Sequence, residues 1–267
     1  MPGAAAPAVT PAPAATVIPV RERASGELEV LLLRRHRGAS FMANAFVFPG
    51  GRVDPGDDGP AAAAIRELFE EAGVLLATPA LDAARRAAWR GRLLGGRAGF
   101  ADLVAAEGLR LATAQLQPWA RYVTPSLEPK RFDARFFVAA VPPGHEPSCD
   151  DQETVAQVWL TPAEALGRGQ AGELTLPPPQ VVTMMELAPH AAGGLAALPA
   201  AAAARVAADR PILPRLAQVG GRVTVLLPWD PDYAALGAGE AAPLPAAARP
   251  AGAPARLTLV GASWVPE

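Results

Sequence analysis

The stretch FPGGRVDPGDDGPAAAAIRELFEEAGV, residues 48–74, decides the reading of this chain. Asp58 and Gly59 are helix-start residues, Pro60 suits the first helical position and Gly73 suits the C-terminal cap. Between them Ile65, Leu68, Phe69 and Ala72 recur at helical spacing and predict a buried stripe. At about 100° per residue, Glu67, Glu70 and Glu71 gather on the opposite face, which is expected to face solvent. Like charges three and four apart cost a helix roughly 0.2–0.5 kcal/mol per pair. Three carboxylates beside an Asp-rich, Gly-rich turn therefore call for a cation, and carboxylate oxygens are the ligands that Mg²⁺ and Mn²⁺ prefer. An ordinary amphipathic helix with a solvated acidic face also fits Arg66-Glu67-x-x-Glu70-Glu71. Phe48-Pro49-Gly50-Gly51 in front and Gly73 behind favour the cation site.

The same residues resemble the signature box of the Nudix hydrolases, which cleave a nucleoside diphosphate linked to another moiety. Arg66-Glu67-Leu68-Phe69-Glu70-Glu71-Ala72-Gly73-Val74 matches the second half of that pattern at every fixed position. The first half departs from it. Where the pattern has one Glu between its leading glycine and Arg66, this chain has Asp57 and Asp58 in a loop one residue longer. The resemblance implies an α/β (α+β) fold, an α/β/α sandwich around a mixed sheet. It also implies Mg²⁺ or Mn²⁺ held by Glu67, Glu70, Glu71 and the Gly51 carbonyl. Glu67 is either a ligand or the general base. Arg66 is expected to pair with an acid of the box, and Asp57 or Asp58 to fill the structural role of the first Glu.

Composition agrees with one enzyme domain plus an extension. The chain has 267 residues and is 51% hydrophobic, which suffices for a full core. Its abundant Ala, Pro, Gly and Arg resemble the drift of a GC-rich bacterial genome. A net charge of −2 gives no electrostatic case for nucleic-acid binding. The single Cys149 excludes an intrachain disulfide and suits a reducing cytoplasm. His36, His145 and His190 lack zinc-ligand spacing. Residues 1–15 read as a loose Ala/Pro-rich tail and not a signal peptide. Residues 187–204 carry no charge, but Pro189, Pro199 and Gly193-Gly194 in weakly apolar alanine argue against a membrane span.

Residues 16–171 read as the catalytic domain. Thr16–Val20, Leu28–Arg35 and Phe46–Phe48 predict strands; Trp119–Thr124, Arg135–Val141 and Val155–Leu160 predict three more. Between the box and Trp119, residues 77–117 form an insertion with helices over 81–94 and 100–107. Thr161, with Glu164 three residues on, makes a capping box that opens a helix. Residues 172–267 form an extension that begins at Pro177-Pro178-Pro179, with a helix near 179–187 and strands at 222–227 and 256–260.

Further segments resemble one Nudix branch, the coenzyme A and acyl-coenzyme A diphosphatases of peroxisomes and their bacterial relatives. These are Phe46-Val47-Phe48-Pro49-Gly50-Gly51, Trp119–Pro125, Lys130–Phe137 and Trp159-Leu160-Thr161-Pro162. That resemblance implies hydrolysis of coenzyme A or its thioesters to 3′,5′-ADP and a phosphopantetheine. ADP-ribose or a dinucleotide is the alternative substrate, and a binding module without turnover the non-enzymatic one. Arg121, Lys130, Arg131 and Arg135 are candidate phosphate-binding cations, because guanidinium forks grip phosphate oxygens. Arg35 either ends its strand in solvent or faces a ligand. Asp150-Asp151-Gln152-Glu153 is either a solvated acidic loop or the source of a further carboxylate, Glu153. Val265-Pro266-Glu267 lacks a peroxisomal tripeptide, so a cytoplasmic location is expected, as a monomer or homodimer, with a small-molecule substrate and no membrane partner.

Overall fold

The structure is a computed structural model and describes residues 9–39, 42–126, 128–205, 210–236 and 242–267. Its strands, in chain order, begin with β1 (Ala12–Glu22), β2 (Leu28–Arg35), β3 (Phe46–Val47) and β4 (Gly50–Arg52). The box helix α1 (Gly59–Ala72) follows, and then an insertion in which a ribbon of β5 (Ala77–Thr78) and β6 (Arg110–Leu111) encloses α2 (Ala83–Leu94) and α3 (Phe100–Ala106). After it come β7 (Gln117–Val123), β8 (Phe132–Ala140), β9 (Thr154–Leu160), α4 (Pro162–Gln170) and α5 (Pro178–Leu187). A 3₁₀ stretch over Ala188–Ala197 leads to α6 (Leu198–Ala203), β10 (Pro211–Ile212), β11 (Arg215–Val219), β12 (Arg222–Leu226), β13 (Arg256–Val260) and β14 (Ser263–Pro266).

The main sheet runs β10-β7-β8-β1-β2-β3, with β4 added to β1 and β9 added to β2. It is mixed, since β1 lies parallel to β8 and antiparallel to β2 and β4. Helices cover both faces. Val17, Leu31 and Leu33 pack under Ile65, Leu68 and Phe69 of α1 together with Trp89 and Leu103 of the insertion. On the other face Ile18, Leu32 and Trp119 pack against Met184 and Leu187 of α5 and against Leu257. The expected α/β/α sandwich is therefore present, and a second sheet, β11-β12-β13-β14, flanks it.

Strand β1 begins at Ala12, inside the segment read as a tail, so that reading is corrected for residues 12–15; residues 1–8 lie outside the described residues. Two prolines disguised it. The Ala12 amide donates to Arg131 on the β8 side and the Val17 amide to Pro49 on the opposite side. Pro13 and Pro19 share the Val17 side, where β4 covers only Ala14–Thr16 and β2 only Val20–Glu22. Their missing N–H groups thus fall at gaps in the ladder, where proline is tolerated.

The run Pro178–Ala203 is long and apolar enough to cross a membrane by length and composition alone. Here it is sheet cover. It breaks at Gly194, which adopts φ 58° and ψ −153°, and it buries Val181, Met184, Leu187, Leu198 and Ala201 in the core. It also carries the buried Glu186, which accepts from Trp119 Nε1 at 3.0 Å and pairs with Arg205 at 3.0 Å.

A chain cut after Ala171 would lose Leu174, Leu176, Val181, Met184 and Leu187, which are all at most 4% exposed. Burying a large aliphatic side chain is worth roughly 1.5–3 kcal/mol, so the sum is comparable to the whole usual stability of a domain. The fragment 1–171 should be insoluble or lack a cooperative melting transition by circular dichroism. A soluble, cooperatively melting fragment would show that residues 172–267 are dispensable for the core.

Candidate functional site

Helix α1 ends as its sequence predicts: Gly73 takes φ 69°, and its amide donates to Phe69. At its start Asp58 holds the cap position without a side-chain cap bond, leaving Asp57 as the acid that matters. Asp57 folds back in a turn, its own carboxylate accepting from the Asp54 amide at 2.8 Å. That carboxylate then receives Arg66 Nε at 3.0 Å and Nη2 at 2.9 Å, a two-pronged contact. The longer box loop is taken up by this turn. Arg66 Nη2 also donates to the Arg52 carbonyl, and Nη1 reaches Glu67 at 2.8 Å and Glu70 at 3.3 Å. Burial disfavours the Arg66 charge, but hydrogen bonds to Asp57 and the adjacent Glu67 more than reverse this and hold it firmly protonated.

The acidic face of the helix is not solvent-side, which corrects the sequence reading. Strand β4 and the loop after it lie over that face, so Glu71 is only 5% exposed. Burial, joined by the charges of Glu67 and Glu153, raises the Glu71 carboxyl well above the usual range. Glu67 is pushed up to about 7 by burial, with Arg66 opposing and Glu70 and Glu153 adding to the rise. Burial also raises Glu70, against the pull of Arg66. Two glycines make this proximity possible. A Cβ on Gly51 would collide with the Glu67 carboxylate, and one on Gly50 would stand 2.5 Å from the Ala15 carbonyl oxygen.

Among the described residues no three His, Cys, Asp or Glu side chains converge on one point at ligating distance. Glu67 and Glu70 each direct an oxygen at Arg66. The Glu71 carboxylate, by contrast, meets the Gly50 amide at 3.2 Å and no cationic side chain among the described residues. A buried acid without an ion pair, beside two further carboxylates and the Gly51 backbone, is an all-oxygen donor set. It fits Mg²⁺ or Mn²⁺.

Of these groups, the Gly51 backbone and Glu67 line a cleft of about 810 Å³, while Glu70 and Glu71 are not among its lining residues. Gly51, Glu67, Lys130, Glu153 and Arg35, all weighed in the sequence as site residues, line it. Arg121, Arg131 and Arg135 are not among its lining residues. Along β8, Phe132, Ala134 and Phe136 face the cleft, so Asp133 and Arg135 point to the other side of the sheet. Arg121 pairs with Asp133 there, at 2.6 Å. Arg131 is 4% exposed and donates to the carbonyls of Thr124 and Val9 at 3.0 and 2.8 Å, pinning the β7–β8 turn. The cations that do line the cleft, besides Lys130, are Arg35 and Arg52. Arg35 approaches Glu153 at 3.9 Å and has a buried Nε with no hydrogen-bond partner. Arg52 went unread in the sequence, although it directly follows the glycine pair.

Comparison with known proteins agrees with this geometry. Residues 55–187 match the profile of the NUDT19 Nudix domain, and residues 10–92 match that of the NUDIX domain. The putative nudix hydrolase 7 of Caenorhabditis elegans is 33% identical over 168 residues, 59% of this chain and 55% of its own length. The acyl-coenzyme A diphosphatase NUDT19 of Xenopus laevis is 24% identical over 235 residues, 63% of this chain and 62% of its own. The chain thus spans between half and two thirds of the length of these relatives. A crystal structure of a NUDIX hydrolase from Alicyclobacillus acidocaldarius superposes with a TM-score of 0.59 at 29% identity, covering 67% of this chain and 91% of the other. The glycine pair and helix α1 both fall within the matched NUDIX profile: the chain belongs to the Nudix hydrolase family, and Gly59–Ala72 is its box helix.

Proposed function

We propose that this protein is a divalent-cation-dependent diphosphatase that cleaves coenzyme A or an acyl-coenzyme A to 3′,5′-ADP and the corresponding phosphopantetheine. One observation carries the reading: Glu71, buried without an ion pair among the described residues, accepts from the Gly50 amide, and the Gly50-Gly51 backbone and Glu67 line a cleft large enough for a nucleotide conjugate. The choice of substrate is supported by the relatives named acyl-coenzyme A diphosphatase. The unpaired Cys149 suits a reducing, cytoplasmic setting.

Glu70, Glu71 and the Gly51 carbonyl would hold Mg²⁺ or Mn²⁺, with Glu153 as a further acid facing the cleft. A bound divalent cation would neutralise the diphosphate oxygens and lower the pKa of the attacking water. Glu67, lining the cleft and held near 7, is matched to take the proton from that water at neutral pH. Arg35, Arg52 and Lys130 supply the positive charge that orients the phosphates. Arg66, paired with Asp57, positions Glu67 and Glu70.

Purified protein with Mn²⁺ or Mg²⁺ should hydrolyse coenzyme A or an acyl-coenzyme A in preference to ADP-ribose and diadenosine polyphosphates, and chelator should abolish turnover. Glu71→Gln should lower kcat/KM at least about a hundredfold while the far-ultraviolet circular dichroism stays unchanged, because a cation held by one fewer charge stabilises the reacting phosphate less. Near-full activity of that variant would remove Glu71 from the site.

Stability should also respond to pH. Glu67 has an ordinary value of 4.5 and a folded value of about 7, so between these the folded chain keeps a proton that the unfolded chain has released. Stability is therefore full below about 4.5 and falls as pH rises through about 7, by roughly 2–3 kcal/mol for this group. In chelator the melting temperature should drop between pH 5 and pH 8, and Mn²⁺ should restore most of the loss at pH 8. A melting temperature that climbs over this range in chelator would contradict the burial of these acids.

A further inference from the structure

The end of the cleft away from the carboxylates has a different chemistry. Every cleft residue from Thr175 onward is uncharged, and Pro214, Leu216, Val225 and Trp264 of the C-terminal extension form an apolar wall. Set into it are two buried polar side chains, Gln180 of α5 and Tyr122 of β7, both 6% exposed. Among the described residues, Gln180 Oε1 and the Tyr122 hydroxyl have no hydrogen-bond partner, and neither do Thr183 Oγ1 and Glu186 Oε1 behind them. The Tyr122 and Thr183 hydroxyls approach one another without closing a hydrogen bond.

Leaving one buried polar atom unpaired costs roughly 1–3 kcal/mol, so four in one place mark a site built for something. Gln180, Thr183 and Glu186 recur every third residue along one face of α5, which directs them together at Tyr122. Only Gln180 and Tyr122 of the four line the cleft, so those two are the ones that an occupant reaches. The lining residues from Thr175 onward offer a charged occupant no counter-ion. A pure hydrocarbon would leave both polar groups unpaired. An uncharged chain with amide groups satisfies both the apolar wall and the two polar atoms.

We propose that residues 175–180 together with β11, β12 and β14 form a second subsite for the non-nucleotide arm of the substrate, with Gln180 and Tyr122 hydrogen-bonding an amide of that arm. The assignment rests on the diphosphatase reading for its substrate, since the pantetheine arm of coenzyme A is an uncharged chain carrying two amides. It gives the C-terminal extension a part in specificity as well as in the core.

The test is calorimetric binding of 4′-phosphopantetheine and, separately, of 3′,5′-ADP to wild type and to Gln180→Leu in metal-free buffer. The Leu variant keeps the side-chain size and removes an unpartnered buried polar atom, so its melting temperature should equal or exceed that of wild type. Binding of 4′-phosphopantetheine should weaken at least about tenfold, the scale of one lost hydrogen bond, and binding of 3′,5′-ADP should change less than about twofold. Leu216→Trp, which narrows the same end from the opposite wall, should give the same split. Equal effects on both probes, an effect confined to 3′,5′-ADP, or no effect would each overturn the subsite. A protein that hydrolyses no diphosphate yet shows the split would lose its proposed activity and keep the subsite; one that hydrolyses coenzyme A without the split would do the reverse.

Discussion

The Arg66 guanidinium is the contact on which the active end of this molecule depends. It grips Asp57 with two nitrogens, takes the Arg52 carbonyl, and reaches Glu67 and Glu70 with the remaining one. Those partners come from three pieces of chain: strand β4, the loop after it and helix α1. Acids gathered on one buried helical face repel one another and resist desolvation, and a single buried cation in their midst offsets part of both costs. Arg66 is hydrogen-bonded to Asp57, Glu67 and Glu70 and not to Glu71, whose carboxylate has no ion pair among the described residues. The frame supplies enough positive charge to fold and too little to neutralise the site.

The sheet converts that local arrangement into a cleft. Strand β1 pairs with β8 over nine consecutive positions and with β4 over three, so the glycine pair and the substrate floor share one rigid element. Alternation along the strands then sorts the side chains. Val17 and Phe137 go to the helix α1 side, while Thr16, Phe132 and Phe136 go to the cleft. Helix α5 and the second sheet close the far end with apolar residues. The resulting cleft is lined both by charged residues, among them Glu67, Glu153, Arg35, Arg52 and Lys130, and by proline, leucine and tryptophan.

Local signals in the sequence placed the end of helix α1 at Gly73 and its start to within a residue, because Asp58, Pro60 and Gly73 act within one turn of chain; Pro60 is the second helical residue and not the first. Strand β2 and the capping box of Thr161 and Glu164 were legible for the same reason. The burial of Glu71 was not, since it depends on β4 folding over the helix, and β4 consists of two glycines and an arginine with no alternation to read. Arg131 looked like a phosphate ligand by residue type alone; only the turn geometry shows its guanidinium committed to backbone carbonyls. For Arg135 a signal did exist. It sits one residue from Ala134 and Phe136 in a strand, so if those aromatic and small residues line a cleft, Arg135 must face away. Gln180 and Trp264 lay in an extension whose composition gave no periodic pattern, and their meeting across the cleft is wholly a tertiary matter.

The central claim is that the charge deficit around Glu71 is a cation site, and it is tested most directly by electron paramagnetic resonance of Mn²⁺ titrated into chelator-stripped protein at pH 8. The six-line signal of free aqueous Mn²⁺ should be suppressed in a saturable manner by wild type, and suppression should weaken sharply in Glu71→Gln. Suppression that never saturates, or that is the same in the two proteins, would contradict the account.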